Sequence, residues 1–159
     1  MTTSIATESN NRHVWRTGML FKKGKKYGLL GRANWKPRFV VLTADALEYY
    51  AAPGGALKGK IDLTQCKEGD IEVMPHDCPK TGHSMSTIWR IAIQTPARRF
   101  FVAANTAPEM DSWFQDLVEI TRRGKRHSLD WEHVARMEGR QAVLRAPSSH
   151  VVAAAVPAH

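Results

Sequence analysis

Trp35-Lys36-Pro37-Arg38-Phe39-Val40-Val41-Leu42, followed shortly by Leu47-Glu48-Tyr49-Tyr50, is the stretch on which the fold turns. Residues 39–43 are β-branched and apolar, and a second strand-like run at 46–50 follows after only Ala44 and Asp45. That spacing suits a tight hairpin. Side chains alternate across a strand, so Arg38 shares a face with Val40, and Tyr49 with Leu47. If the apolar members point into a core, the arginine and the phenol point the same way, beyond the core's end.

Upstream, residues 16–22 hold Met19, Leu20 and Phe21, and there Leu20 and Lys22 share a face. Downstream, Pro53, Gly54 and Gly55 break the chain before a strand at 57–63. A short run at 71–74 stops at Pro75. Trp89, Ile91 and Ile93 then alternate with Arg90, Ala92 and Gln94, the pattern of a half-buried strand. Thr95 and Pro96 turn the chain into 99–103. Short strands at intervals of roughly ten residues indicate a small sandwich or barrel.

The period then changes. Thr106 stands three residues before Glu109 as a capping box, with Pro108 in the first turn. Met110, Trp113, Phe114, Leu117 and Ile120 recur at helical spacing, and Gly124 is the expected end of that helix. Such an aromatic face must be buried, and the mouth of an open barrel offers the place. A weaker second helix is expected over 129–145, capped by Ser128. Residues 1–13 read as a disordered lead-in, and 146–159 as a disordered end.

Lys+Arg number 23 against 15 Asp+Glu in 159 residues, a formal charge of +8 that calls for an anionic partner. Residues 1–12 lack the apolar core of a secretory signal, and Val151 to Val156 is the longest purely apolar run, far short of a spanning helix. The two cysteines, Cys66 and Cys78, make no disulfide framework and fit a reducing compartment. The expectation is a cytoplasmic protein.

The motifs Gly18-Met19-Leu20-Phe21-Lys22-Lys23, Trp35 to Leu42, Leu47 to Tyr50 and Gly59-Lys60-Ile61-Asp62-Leu63 resemble the first four strands of a pleckstrin homology (PH) domain. Trp113 sits where that family keeps its helix tryptophan. The resemblance spans about 14–123, with 124–159 as a basic, partly helical extension. It implies a mainly β fold: a seven-stranded, partly open barrel of two near-orthogonal antiparallel sheets, capped by one C-terminal helix. It also implies a binding module without catalysis or cofactor, acting as a monomer and reversibly recruited to the plasma membrane or an endomembrane.

Between Glu8 and Asp45 there is no acidic residue, yet the interval carries nine cations. A solvated surface normally mixes signs, so a one-sided run points to an anionic partner or to a long-range field. Gly24, Gly28 and Gly31 mark the centre of this interval as a flexible hairpin loop whose amides could approach a phosphate. The order Lys22…Lys36-x-Arg38 resembles the basic signature of members that bind 3-phosphorylated inositides. Carried over by position, the resemblance gives Lys22, Lys36, Arg38, Tyr49 and Lys58 as the head-group site. Lys23, Lys25, Lys26 and Arg32 are then accessory electrostatic contacts to the membrane. Pro37, which cannot donate to a ladder, should lie at a strand start or a local edge.

Other chemistry is poorly supported. Cys66, His76, Cys78 and His83 have no compact ligand spacing for a metal. No Ser-His-Asp or paired-carboxylate pattern stands out. Trp113, Phe114, Phe100 and Phe101 are expected in the core, which speaks against a nucleic-acid stacking platform. Ser128, after Lys125 and Arg126, resembles a basophilic kinase site whose phosphorylation would cut local charge. The competing function is a protein-interaction adaptor that binds anionic lipid only weakly and nonspecifically.

Overall fold

A computed structural model of the chain describes residues 13–25 and 34–124. The strands are β1 (Val14–Lys23), β2 (Trp35–Thr43), β3 (Ala46–Tyr50), β4 (Leu57–Asp62), β5 (Ile71–Val73), β6 (Arg90–Gln94) and β7 (Arg99–Ala103). A 3-10 turn at Glu68–Asp70 precedes β5, and helix α1 occupies residues 107–124. The fold is mainly β, as the strand spacing requires.

All strand pairs are antiparallel, in the order β4-β3-β2-β1-β7-β6-β5. The two sheets expected are therefore halves of one partly open sheet. Their seam is short: β1 meets β7 only through Phe21 opposite Ala103 and Lys22 opposite Val102. The period-two alternation decides what each face carries. Leu20, Val40, Leu42, Leu47, Ile61, Ile91, Ile93 and Val102 all fall on the inner face and are at most 2% exposed. Burying each such side chain contributes about 1.5–3 kcal/mol, so a register slip of one residue would cost many of these at once.

The helix seals this core. Met110, Trp113, Leu117 and Ile120 are buried, with Phe114 packed against them. Trp113 lies against β1 at Gly18, where an added Cβ would stand 3.2 Å from Cζ2 of the indole. Gly18 is thus a matter of close approach. Thr106 Oγ1 accepts from Glu109 N (3.3 Å), the first half of the capping box. Glu109 reaches back one residue further than expected and accepts from Asn105 N (2.9 Å).

Helix α1 runs to Gly124, the last of its described residues. Two expectations are corrected. β6 is buried on both faces from Arg90 to Ile93, where a half-buried strand was expected. The loop between β5 and β6 covers its outer side, through Arg90 bonds described below. Phe101 lies outside the core: Lys23 Nζ stands 4.8 Å and Arg99 Cζ 5.6 Å from its ring centre. Its neighbour Phe100 takes the inward position, opposite Ile93. The expected lead-in before residue 13, the second helix at 129–145 and Ser128 lie outside the described residues.

Candidate functional site

Strand register brings the sequence-predicted residues onto one face. Lys22 stands opposite Lys36, Leu20 opposite Arg38, Val40 opposite Tyr49, and Tyr49 opposite Gly59. Leu20 and Val40 are buried, so the face that carries Lys22, Lys36, Arg38 and Tyr49 is the core face, continued past its apolar part to the rim. Pro37 sits within β2 where pairing with β3 has already stopped at Phe39 opposite Tyr50. One side of the strand is open there, so the missing N–H leaves no ladder bond broken.

Lys22 is the centre of the arrangement. It is only 8% exposed, and its Nζ lies 4.4 Å from the Tyr49 ring centre and 5.6 Å from that of Phe100. Its one hydrogen bond in the described structure goes to Lys23 O at 3.3 Å. Burial, then the like charges of Arg98 and Arg38, pull its pKa down from 10.5 to about 8. Tyr49 is held beneath it by the bare backbone of Gly59, where a Cβ would meet the phenol oxygen at 2.3 Å. Any side chain at 59 would push the ring out of the stack.

Arg98 is the member sequence reasoning missed. It lies in the β6–β7 turn, and its guanidinium stacks 4.0 Å from the centre of the Phe100 ring that Lys22 also approaches. The available signal was the spacing Arg98-Arg99-Phe100-Phe101, which sends one Arg-Phe pair to each face. Arg38 donates to Pro37 O at 2.9 Å and leaves its other donors free of any carboxylate among the described residues. Lys36 is exposed. Lys58 is exposed too, but it falls in the bulge between the pairings of Tyr49 and Tyr50 and has no partner position in the ladder.

The accessory cations divide. Lys23 points to the outer face and donates to Cys78 Sγ at 3.2 Å. Lys25 borders a cleft of about 260 Å³ with Lys23, Arg98 and Arg99. Arg99, on the outer side of that cleft, is occupied by Glu72 and by Asp77, the latter at 3.0 Å. Lys26 and Arg32 lie outside the described residues.

Among the described residues no three His, Cys, Asp or Glu side chains gather as metal ligands. Burial pushes the Cys66 thiol up to about 11, so it stays protonated and donates to Gln94 O at 3.3 Å. No helix among the described residues is long and apolar enough to cross a membrane.

The family model for the PH domain matches residues 14–122, the whole of the sheet and nearly all of the described helix. The chain belongs to the PH domain family. Domains of this family are in general binding modules. The C-terminal PH domain of human pleckstrin is 26% identical at a TM-score of 0.55, the match covering 76% of this chain and 98% of that one. The solution structure of a pleckstrin homology domain is 27% identical at a TM-score of 0.50, over 70% of this chain and 88% of that one. The C-terminal PH domain of pleckstrin solved in complex with D-myo-Ins(1,2,3,5,6)P5 matches in fold, at 23% identity and a TM-score of 0.51, over 69% and 97% of the two chains. No curated protein matches the sequence closely enough to count as a relative.

Proposed function

We propose that this PH domain, residues 14–123, binds the head group of a phosphoinositide at the rim beside Lys22 and thereby recruits the chain reversibly to the cytoplasmic surface of a membrane. Lys22 carries the reading. A lysine 8% exposed, pressed by two arginines and given no carboxylate among the described residues, costs the fold stability. A multivalent anion removes that cost, because its charge offsets all three cations at once.

Arg38 would grip two phosphate oxygens, with Lys22, Lys36 and Lys58 as point charges and Arg98 closing from the β6–β7 turn. Tyr49 would add one neutral hydrogen bond. The Lys36-x-Arg38 order supports a preference for 3-phosphorylated inositides and a role in signalling or trafficking. The domain acts as a monomeric binding module with no reaction of its own. The pleckstrin domain solved with an inositol pentakisphosphate lends the chemistry a precedent within the family.

The test is sedimentation of wild type and Arg38→Ala with vesicles that each contain one phosphoinositide isomer over a common phosphatidylserine background. Isomer-dependent retention that soluble inositol tetrakisphosphate displaces is expected. Equal retention on phosphatidylserine alone would refute the reading and favour the protein-adaptor function.

A further inference from the structure

Lys22 is a buried lysine without a counter-charge. The groups that face it are cations or rings: Lys36 and Arg38 from β2, Tyr49 from β3, Phe100 from β7 and Arg98 from the β6–β7 turn. None of Lys22, Lys36, Arg38 and Arg98 enters an ion pair among the described residues. The contact from Nζ to Lys23 O, at 3.3 Å, is longer than a good hydrogen bond. Burial and the two arginines therefore favour loss of the ammonium proton, and a minority of molecules carries the free amine at neutral pH. A desolvated amine beside other cations is the setting in which lysine becomes a nucleophile. The other lysines of the rim lack it: Lys36 and Lys58 are exposed, and Lys23 is engaged by Cys78 Sγ.

The surroundings also select the product. An acyl amide would remove the charge but leave Arg38 and Arg98 unpaired. A carbamate puts a carboxylate in place of the ammonium, and guanidinium groups bond carboxylates two oxygens at a time. Carbon dioxide is small and uncharged, so it reaches a side chain that is 8% exposed without shedding a hydration shell.

We propose that Lys22 Nζ reversibly binds carbon dioxide as a carbamate held by Arg38 and Arg98, and that this modification and the phosphoinositide exclude each other. The amine lone pair forms an N–C bond to carbon dioxide. One C–O π bond gives its electron pair to oxygen, and the nitrogen releases a proton to solvent, with no oxidation or reduction. The charge at Lys22 is inverted, and the arginines that would grip phosphate are already occupied. The antagonism rests on the function proposed above, whereas the carbamate itself does not.

The test equilibrates the full chain with carbon-13-labelled carbon dioxide and bicarbonate at fixed pH and ionic strength, and reads the carbamate by carbon-13 NMR. Wild type should show a carbamate resonance that is missing from Lys22→Arg, which keeps the positive charge without a nucleophilic amine. An α-amino group titrates in the same range and gives a resonance common to both proteins. Inositol 1,3,4,5-tetrakisphosphate should abolish the Lys22 resonance alone. In calorimetric titration, the affinity of wild type for that head group should fall about twofold when half the protein is carbamylated, in proportion to the competent fraction left. The affinity of Lys22→Arg, whatever its own value, should not respond to carbon dioxide. Absence of a Lys22-dependent resonance, or equal weakening of both proteins as by bicarbonate acting as a plain anion, overturns the proposal and leaves head-group recognition standing. A Lys22 resonance in a protein that binds no head group overturns the recognition function and the antagonism with it.

Discussion

Two buried cations, Lys22 and Arg90, sit on opposite faces of the same sheet and are treated in opposite ways. Arg90 is 3% exposed and fully engaged. Its Nε donates to Thr87 O (3.2 Å), Nη1 to Cys78 O (2.7 Å) and to Pro79 O, and Nη2 to Ser86 Oγ (2.9 Å). The Trp35 ring covers it with its centre 4.6 Å away. Lys22 has one weak carbonyl contact and two cationic neighbours. A buried charge whose every nitrogen has an acceptor is holding structure. One left unsatisfied among like charges is held in reserve for something outside the chain.

Arg90→Ala should have the largest effect. It strips donors from three loop carbonyls and a hydroxyl, at a cost of about 3–5 kcal/mol in denaturant unfolding. If stability falls by less than about 1 kcal/mol, the contrast with Lys22 fails on its structural side. Arg38→Ala is the counterpart at the rim. It should lower affinity for phosphoinositide vesicles at least tenfold, about 1.4 kcal/mol, with the unfolding midpoint unchanged.

Lys22→Met sharpens the comparison because fold and ligand want different things. Removing a charge the fold does not satisfy should raise Tm by about 4–8 °C, the shift that about 1 kcal/mol produces in a domain of roughly this size. Head-group affinity should fall severalfold in the same variant. The pH dependence of wild type follows from the lowered pKa. The unfolded chain keeps the lysine proton up to about 10.5 and the folded one releases it near 8, so the unfolded state binds more protons in that window. Stability from this group therefore rises as pH rises from 8 to 10.5. A bound phosphate restores the charge on Lys22, so binding takes up a proton and weakens over the same rise. Opposed slopes in thermal unfolding and in titration calorimetry, both flattened by Lys22→Met, are the expected signature. Parallel slopes would remove Lys22 from the site.

Much of this was legible in the residue order because a strand has a period of two. Leu20 with Lys22, Val40 with Arg38 and Leu47 with Tyr49 needed only parity, and the register confirms each. For Arg98, spacing gives a shared face with Phe100 but does not say which strand that face meets. Its approach to Lys22 depends on β7 pairing with β1, a contact that no local pattern encodes. Arg90 escaped for a similar reason. It looked like the polar member of an alternating strand, and only the folding of the β5–β6 loop over it turns that face inward. The placement of Phe101 was missed because an aromatic residue between two cations reads as apolar until its partners Lys23 and Arg99 are known.

The smallest effect tests the comparison most directly, because Arg98 and Arg99 are adjacent and border the same cleft. Arg99 is already neutralised by Glu72 and Asp77, in pairs exposed enough that each contributes at most about 1 kcal/mol. Arg99→Ala should leave head-group affinity within about twofold, whereas Arg98→Ala should lower it about three- to fivefold, since one keeps its charge for carboxylates and the other does not. If the order is reversed, the anion is held on the outer side of the cleft, with Lys23 and Lys25. The unsatisfied state of Lys22 would then be a cost the fold tolerates for no ligand at all.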